Sequence, residues 1–469
     1  MPVSVPSNIF REYDIRGLVE SELTPPVMEV LGRAAARRFR REGQERVVVG
    51  RDNRLSSDSL RDALVRGLVS EGMRVADLGV VTTPLFYFAR VHYGFDAGLM
   101  ITASHNPPTY NGLKVALGFA TLYGEQIQEL GRMARQAAAE EPPLGAVVSG
   151  EGRVEHLDPS GEYLRILQEK LRLARPLKVA VDCGNGTASL FAVDFLTRLG
   201  CEVVPLYCES DGRFPHHQPD PVERENLHDL SEVVRAERCD VGLGFDGDGD
   251  RLGVVDDQGE VMWGDEMMIL YWREILPGHP GATAIIEVKC SQALVEEVER
   301  LGGRPLFYKT GHSLIKAKMR ELGAVFTGEM SGHMFFADEY YGFDDAFYAA
   351  GRFLRILAAD PRPLSEIRRT VPRYPGTAET RVPCTSDEAK FRVVQALRER
   401  FEKEYRVIDV DGARVLFPDG WGLARASNTQ PVIVARCEGR TEGALARIER
   451  VMKEALTAFP EVGDFQWAH

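Results

Sequence analysis

The segment VVVGRDNRLSSDSLRDALVRGLVSEGMRVADLG, residues 47–79, decides the fold. It contains an apolar strand, a turn with a serine-rich helix start, an amphipathic helix, a glycine and a second strand. The same order recurs in LKVAVDCGNGTASLFAVDFLTRLGCEVVPLY, residues 177–207, and in ATAIIEVKCSQALVEEVERLGGRPLFYKTG, residues 282–311. A strand, helix and strand in succession imply a right-handed crossover in a mostly parallel sheet. The sequence therefore predicts three similar α/β domains with mixed, mostly parallel sheets.

Each repeat is followed by one more strand that ends in a polar loop. The strand FDAGLM leads into ITASHNP, the strand CDVGLGF leads into DGDGDR, and the strand LGAVF leads into TGEMSGH. In open α/β sheets, ligand chemistry lies beyond the carboxyl ends of the strands. Because equivalent strands carry the three loops, we expect the domains to be arranged around a central cleft where the loops converge.

The chain departs from this pattern near residue 371. A helix-forming segment is followed by short strands and by a last helix, and the loop RASNTQP lies between two of these strands. This order predicts a C-terminal α+β domain with antiparallel strands. The predicted domains are residues 1–150, 151–257, 258–370 and 371–469.

Composition excludes several classes of protein. The chain has 469 residues and a formal net charge of −13, which argues against general nucleic-acid binding and requires any phosphate site to collect its own cations. The N-terminal segment lacks a signal-peptide pattern, and no apolar run reaches the length of a transmembrane helix, so no membrane association is expected. Seven dispersed cysteines without a Cys-x-x-Cys pair favour reduced thiols and a cytoplasmic location.

The loop GFDGDGDRLG places Asp246, Asp248 and Asp250 two residues apart, with glycines between them. In an extended segment this spacing would point all three carboxylates the same way, and the glycines remove side-chain bulk, so that the backbone can curl the oxygens around one ion. Carboxylates so close together would repel one another unless a hard cation lay between them. Mg²⁺ is the natural candidate. A solvated acidic turn is the alternative. An EF-hand is disfavoured because Arg251 and Asp257 stand where it needs Gly and Glu, and a dinucleotide motif is disfavoured because no helix follows.

The loop TASHNPP places Ser104 and His105 at the exit of a buried strand, before two prolines that prevent a helix. A serine hydroxyl needs a base or a metal to act as a nucleophile, and no G-x-S-x-G motif is present for acyl transfer. A metal at the aspartate loop would supply that activation, or would hold a phosphate already attached to the serine. The alternative is a serine that merely caps the turn.

Two further loops carry groups suited to a sugar phosphate. GEMSGH offers Glu329 and Ser331, whose carboxylate and hydroxyl suit neighbouring sugar hydroxyls. RASNT offers Arg425 with hydroxyl and amide groups, which suit a phosphate dianion. Each signal alone is also compatible with an ordinary polar turn.

These four loops, in this order, resemble those of the α-D-phosphohexomutase family, and most closely its bacterial phosphomannomutase/phosphoglucomutase branch. The resemblance runs from FREYDIRG to RASNTQPVIVARCEG. It implies reversible transfer of phosphate between C1 and C6 of a hexose, mannose or glucose, through a phosphoserine and a bound hexose bisphosphate. Glucose 1,6-bisphosphate or mannose 1,6-bisphosphate would be the activator. One Mg²⁺ per chain would be held by Ser104, Asp246, Asp248 and Asp250.

The resemblance also implies roles for the other loop residues. Catalytic roles would fall to Ser104, His105, Lys114, Arg251 and His312. Substrate contacts would fall to Tyr13, Arg16, Lys289, Glu329, Ser331, His333, Arg425, Ser427, Asn428 and Thr429. Among these, Glu329 and Ser331 would hold the 3- and 4-hydroxyls of the sugar in both of its orientations.

Some questions stay open at this point. The group that accepts the proton is undecided among His312, Lys114, Arg16 and His105. Because glucose and mannose share the 3- and 4-hydroxyls, a site that reads only those groups would accept both sugars. Phosphoglucosamine mutase, a metal-dependent sugar phosphatase and a non-catalytic sugar-phosphate-binding protein are the alternative functions.

Overall fold

Each of the three sequence repeats forms a strand, a helix and a parallel strand in the computed structural model, which describes residues 3–118, 120–140, 153–427 and 432–468. The predicted fold class is confirmed, and the C-terminal segment forms the expected antiparallel α+β arrangement.

The helices and strands are numbered along the chain. The strands are β1 (Ile15–Leu18), β2 (Arg46–Arg51), β3 (Arg74–Val80), β4 (Ala97–Ile101), β5 (Tyr110–Leu117), β6 (Ala120–Thr121), β7 (Arg153–His156), β8 (Lys178–Asp182), β9 (Glu202–Leu206), β10 (Val241–Phe245), β11 (Leu252–Asp256), β12 (Val261–Met262), β13 (Thr283–Glu287), β14 (Arg304–Tyr308), β15 (Phe326–Gly328), β16 (Met334–Phe336), β17 (Thr380–Pro383), β18 (Arg406–Ile408), β19 (Ala413–Phe417), β20 (Gly420–Ala426) and β21 (Val432–Gly439). The α-helices are α1 (Pro25–Arg41), α2 (Ser57–Ser70), α3 (Thr83–His92), α4 (Glu125–Ala139), α5 (Ser160–Lys170), α6 (Ala192–Arg198), α7 (His228–Glu237), α8 (Gly264–Ile275), α9 (Gln292–Arg300), α10 (His312–Leu322), α11 (Ala346–Ala359), α12 (Leu364–Arg368), α13 (Asp387–Phe401) and α14 (Glu442–Thr457).

The chain divides into two compact units. Unit 1 holds Met1–Met267 and Ser331–Arg368, and unit 2 holds Met268–Met330 and Arg369–His469. The predicted boundaries near residues 150, 257 and 370 stay a prediction.

Unit 1 contains two mixed sheets. The first has the order β1-β5-β4-β2-β3-β7, with β6 paired to β5; β4, β2, β3 and β7 run parallel, while β1, β5 and β4 pair antiparallel. The second has the order β12-β11-β10-β8-β9, in which β10, β8 and β9 run parallel. The inner strands β4 and β10 are buried along their whole length, whereas the edge strand β7 is exposed. Fully buried strands read as continuous apolar runs.

In unit 2, β13 pairs in parallel with β14 and β15. The C-terminal sheet has the order β17-β21-β20-β19-β18 and is antiparallel throughout. Its core is closed by α13 and α14, which pack their apolar faces on it.

In unit 1, the polar loop with Ser104 follows β4, and the loop with Asp246, Asp248 and Asp250 follows β10. The backbone N–H of Thr83, at the start of α3, donates to the carbonyl of Asp248 at 2.9 Å, so the first sheet's connections contact the loop of the second. Among the helices of the described residues, none is long and apolar enough to cross a bilayer.

Candidate active site

Ser104 lies three residues beyond β4 and is buried against the aspartate loop. Its Oγ donates a hydrogen bond to Asp246 Oδ2 at 2.8 Å and lies 3.2 Å from His105 Nδ1. The backbone of Ser104 has a φ of 50°, a left-handed conformation that costs on the order of 1 kcal/mol for a residue with a Cβ. Its N–H donates to Thr102 Oγ1 at 2.9 Å, which helps to hold this conformation. The strained turn thus directs the hydroxyl toward the acidic residues.

The three aspartates meet in a tight turn rather than along an extended segment. Oxygens of Asp246, Asp248 and Asp250 lie within 4.8 Å of one another, and all three side chains are fully buried. The residues after β10 form a turn, and Gly249 has a φ of 75°. The segment is therefore not extended, and the turn curls the chain so that the three carboxylates converge, as the glycines between them allow.

Lys114 supplies a positive charge to this cluster. Its Nζ lies 2.6 Å from Asp250 Oδ2 and 3.4 Å from Asp248 Oδ2. Burial alone would lower the pKa of Lys114, but the two carboxylates raise it well above its usual value. Burial, followed by repulsion from the neighbouring aspartates, raises the pKa of Asp246. Against the effect of burial, attraction by Lys114 holds the pKa of Asp250 well below its usual range.

The cluster suits a hard divalent cation. It offers several buried carboxylate oxygens and the hydroxyl of Ser104, which are the ligands that Mg²⁺ prefers. Asp248 Oδ1 is buried and has no hydrogen-bond partner in the described part of the chain. A buried carboxylate oxygen left in this state is costly, and a bound cation would satisfy it.

A second group of side chains adjoins the cluster. Asp250, His333 and Asp344 bring their ligand atoms within 4.8 Å of one another. His333 Nε2 lies 3.2 Å from Asp250 Oδ1, and its Nδ1 lies 3.0 Å from the hydroxyl of Ser331. Arg251 Nε donates to His333 Nε2 at 3.3 Å. Three residues selected from the sequence, Arg251, Ser331 and His333, thus lie within one contact network with Asp250.

His105 and Arg16 border the serine loop. Burial, followed by repulsion from Arg251 and Arg16, holds the pKa of His105 well below its usual value. Arg16, in β1, donates to Asn106 Oδ1 at 2.8 Å. Tyr13 precedes β1 in a bend and is half-buried.

The remaining predicted residues belong to unit 2. Lys289 Nζ lies 2.9 Å from Glu379, and Glu329 Oε1 accepts from the backbone N–H of Gly311 at 2.7 Å. His312 is the buried first residue of α10. Arg425 lies in β20 and donates through Nε to Asp411 Oδ2 at 2.9 Å. The other three follow β20 in the sequence: the N–H of Ser427 donates to the carbonyl of Val432 at 3.0 Å, while Asn428 and Thr429 lie outside the described residues.

The segment that carries Lys289 is held by a buried arginine. Arg414 Nη1 donates to the carbonyls of Val288 and Cys290, both at 2.7 Å. The guanidinium of Arg414 stacks on the ring of Trp421 at 3.7 Å. Hydrogen bonds to the carbonyls on either side fix the backbone from which the side chain of Lys289 extends.

Comparison with known proteins decides the family. Four family descriptions match in order: phosphoglucomutase/phosphomannomutase α/β/α domain I at residues 7–139, domain II at 161–259, domain III at 263–374, and the C-terminal domain at 379–455. The chain belongs to the phosphoglucomutase/phosphomannomutase family.

Individual members of the phosphoglucomutase/phosphomannomutase family match nearly the whole chain. A phosphomannomutase/phosphoglucomutase of Pseudomonas aeruginosa is 44% identical over 97% of this chain and 96% of its own. A phosphoglucomutase of Neisseria gonorrhoeae is 41% identical over 98% and 99%. A crystal structure of a family protein from Burkholderia thailandensis has a TM-score of 0.90 at 42% identity and covers 97% of this chain and 98% of its own.

Sequence reasoning missed Arg54, which organises the serine loop of this family member. The guanidinium donates to the carbonyls of Ser104 at 2.9 Å, Pro107 at 2.7 Å and Tyr110 at 3.1 Å, and it pairs with Asp52 at 3.1 Å. Arg54 follows β2, a parallel neighbour of β4. Its position after β2 could have indicated this role, because the carboxyl ends of neighbouring parallel strands lie at the same edge of a sheet.

Thr83 and Gly247 were also missed. Thr83 Oγ1 donates to Asp248 Oδ2 at 2.6 Å, and Thr102 Oγ1 donates to the same oxygen at 3.2 Å. A Cβ on Gly247 would lie 2.3 Å from the carbonyl oxygen of Ser104. The glycine therefore permits the close approach of the aspartate and serine loops.

Proposed function

We propose that the protein interconverts hexose 6-phosphate and hexose 1-phosphate through a phosphoserine at Ser104 and a hexose 1,6-bisphosphate that stays bound while it reorients. The substrates are mannose and glucose phosphates, and a hexose 1,6-bisphosphate is the activator that phosphorylates the serine. The observation that carries the proposal is the 2.8 Å hydrogen bond between the Ser104 hydroxyl and Asp246 within the converging acidic loop.

The chemistry follows from the charges of unit 1. Phosphoryl transfer has a loose transition state, so positioning and charge neutralisation supply most of the acceleration. Asp246, Asp248, Asp250 and Ser104 would hold Mg²⁺, which supplies charge neutralisation to the phosphoryl group when it is bound. Arg251 contributes a fixed positive charge beside the same loop.

A proton must leave the attacking sugar hydroxyl and reach the serine oxygen. His105 Nδ1, at 3.2 Å from Ser104 Oγ, lies close enough to donate a proton to the serine oxygen and to accept one from it. Lys114, His312 and Arg16 stay candidates for the group that serves the sugar hydroxyl.

The residues of unit 2 have the chemistry of sugar-phosphate binding. The carboxylate of Glu329 would accept from sugar hydroxyls, and Arg425, Ser427, Asn428 and Thr429 would hold the phosphate that does not react. Because mannose and glucose differ only at C2, recognition of the 3- and 4-hydroxyls supports activity on both. Coupled assays with a preference for one sugar of about a thousandfold, equal to roughly 4 kcal/mol, would contradict this dual specificity.

Intact-mass spectrometry tests the covalent step. Exposure to glucose 1,6-bisphosphate should add one phosphate to the wild type and to the control Ser59→Ala, whose side chain is exposed on α2. Ser104→Ala should gain no phosphate and should lose several orders of magnitude in turnover while it keeps its fold. Near-normal turnover of Ser104→Ala with Mg²⁺ present would refute the mechanism, and release of inorganic phosphate without isomer formation would indicate a phosphatase instead.

A further inference from the structure

Two cysteines outside the catalytic loops lie side by side in unit 1. Cys183 follows β8 directly and is buried, while Cys208 lies two residues beyond β9 and is half-buried. Their sulfur atoms are 3.3 Å apart. Because β8 and β9 are adjacent parallel strands, their carboxyl ends bring the two thiols to the same edge. A disulfide needs sulfur atoms at about 2 Å, so a displacement of about 1 Å would join them.

The environment of the pair favours reaction at Cys208. The hydrogen-bonding contact with the Cys183 thiol lowers the pKa of Cys208, although burial acts in the opposite direction. The thiolate is the reactive form of cysteine, and Cys208 is the member of the pair that solvent reaches. Cys183 lies behind it, in the position of a resolving thiol.

The loop that begins at Cys183 supports the metal-binding loop. The N–H of Thr187 donates to the carbonyl of Gly247 at 2.9 Å. Asn53, which precedes the loop-holding Arg54, donates through its side chain to the carbonyl of Asn185 at 2.7 Å. A change in the loop that follows Cys183 is therefore transmitted to both loops of the site through direct hydrogen bonds.

We propose that Cys183 and Cys208 form a redox-sensitive pair, in which a reversible disulfide displaces the Cys183–Thr187 loop and lowers mutase turnover through Gly247. The oxidant is a peroxide. The Cys208 thiolate attacks hydrogen peroxide, forms a sulfenic acid and releases hydroxide, which takes up a proton. The Cys183 thiol then attacks the sulfenic sulfur, and its proton leaves with the hydroxyl as water. In balance, two thiols and one peroxide give one disulfide and two waters, and a dithiol reductant reverses the reaction.

The test uses the full chain and reads the bond separately from activity. After treatment with hydrogen peroxide and blocking of the remaining thiols, peptide mass spectrometry should find the Cys183 and Cys208 peptides cross-linked with the loss of two hydrogen atoms. Since a shift of about 1 Å shared between two loops displaces each by a fraction of that distance, turnover should fall by about tenfold. Dithiothreitol should restore it.

Two variants locate the effect. Cys208→Ser should keep its turnover under peroxide, whereas Cys384→Ser, which removes a half-buried thiol in unit 2, should be inactivated like the wild type. Absence of the cross-link, a cross-link without loss of turnover, or equal inactivation of Cys208→Ser would each overturn the proposal.

The activity readout rests on the proposed function, but the mass readout does not. A reduced protein without mutase activity would contradict the proposed function alone. In that case the stabilisation by Mg²⁺ in thermal melts serves as the readout: a smaller stabilisation after cross-linking would support the redox pair, and an unchanged one would overturn it.

Discussion

A methyl group at position 247 should separate the aspartate loop from the serine loop. In Gly247→Ala the new Cβ would lie 2.3 Å from the Ser104 carbonyl oxygen, whereas ordinary van der Waals contact begins at 3.4 Å, so the loops must part by about 1 Å. Pro219 Cγ, at 3.3 Å from the same Cβ, hinders the aspartate loop from moving away instead. A misplacement of about 1 Å costs catalysis on the order of a hundredfold.

The assay compares this variant with Gly161→Ala. A Cβ at Gly161, in α5, has nothing within 4 Å, so that variant should keep wild-type turnover and stability. For Gly247→Ala we expect turnover with glucose 1-phosphate to fall by about a hundredfold, while circular dichroism shows a folded chain. Turnover within about threefold of the wild type would refute the reasoning, because it would show that turnover does not depend on how closely the two loops approach each other.

Three other perturbations test charged groups within the two units. Arg54→Met should lower the free energy of unfolding in urea by about 3–5 kcal/mol, since it leaves Asp52 buried without its cation; a loss under about 1 kcal/mol would contradict the role given to the pair. The pKa of Glu379 is lowered to about 2, first through attraction by Lys289, so the stability from this pair is complete above the ordinary value of 4.5 and is lost as the pH falls toward 2. Glu379→Gln should therefore reduce the loss of unfolding free energy between pH 4.5 and pH 2. The reduction should be less than about 1 kcal/mol because the side chain is 39% exposed, and an unchanged pH dependence would argue against the pair. Mg²⁺ at a hundredfold excess over its dissociation constant should stabilise the chain by about 2.7 kcal/mol in thermal melts, and the same stabilisation in Asp248→Asn would exclude the aspartate cluster as its site.

The fold class could be predicted from the sequence because the same pattern of apolar residues occurs three times. Three strand, helix and strand units with similar spacing determine the α/β class, and fully buried strands such as β4 and β10 read as apolar runs. The aspartate loop was recognised from its residue types, and the glycines between the aspartates indicated that it could curl around one ion. The details of the observed turn, which depend on Gly249 and on contacts from distant residues such as Thr83, have no local pattern in the sequence.

The missed residues act through contacts with no local pattern. Arg54 lies in an ordinary polar turn, and only the adjacency of β2 and β4 reveals that it reaches the carbonyls of the serine loop. Thr83 resembles a helix-start residue, and its bond to Asp248 joins positions that are far apart in the chain. Such roles follow from strand order and loop proximity, which single-sequence periodicity does not contain.

The two hydrogen bonds from Arg414 to the carbonyls beside Lys289 limit where the chain can be cut into separately folding pieces. The pattern change near residue 370 indicates where one kind of architecture gives way to another, yet an excised C-terminal piece would lose those carbonyl acceptors and would expose the indole of Trp421 to water. The truncated remainder would lose the guanidinium that fixes the backbone at Lys289. The backbone at Lys289 therefore depends on residues from two architectures that fold together, and evolution or engineering would have to exchange them as one part.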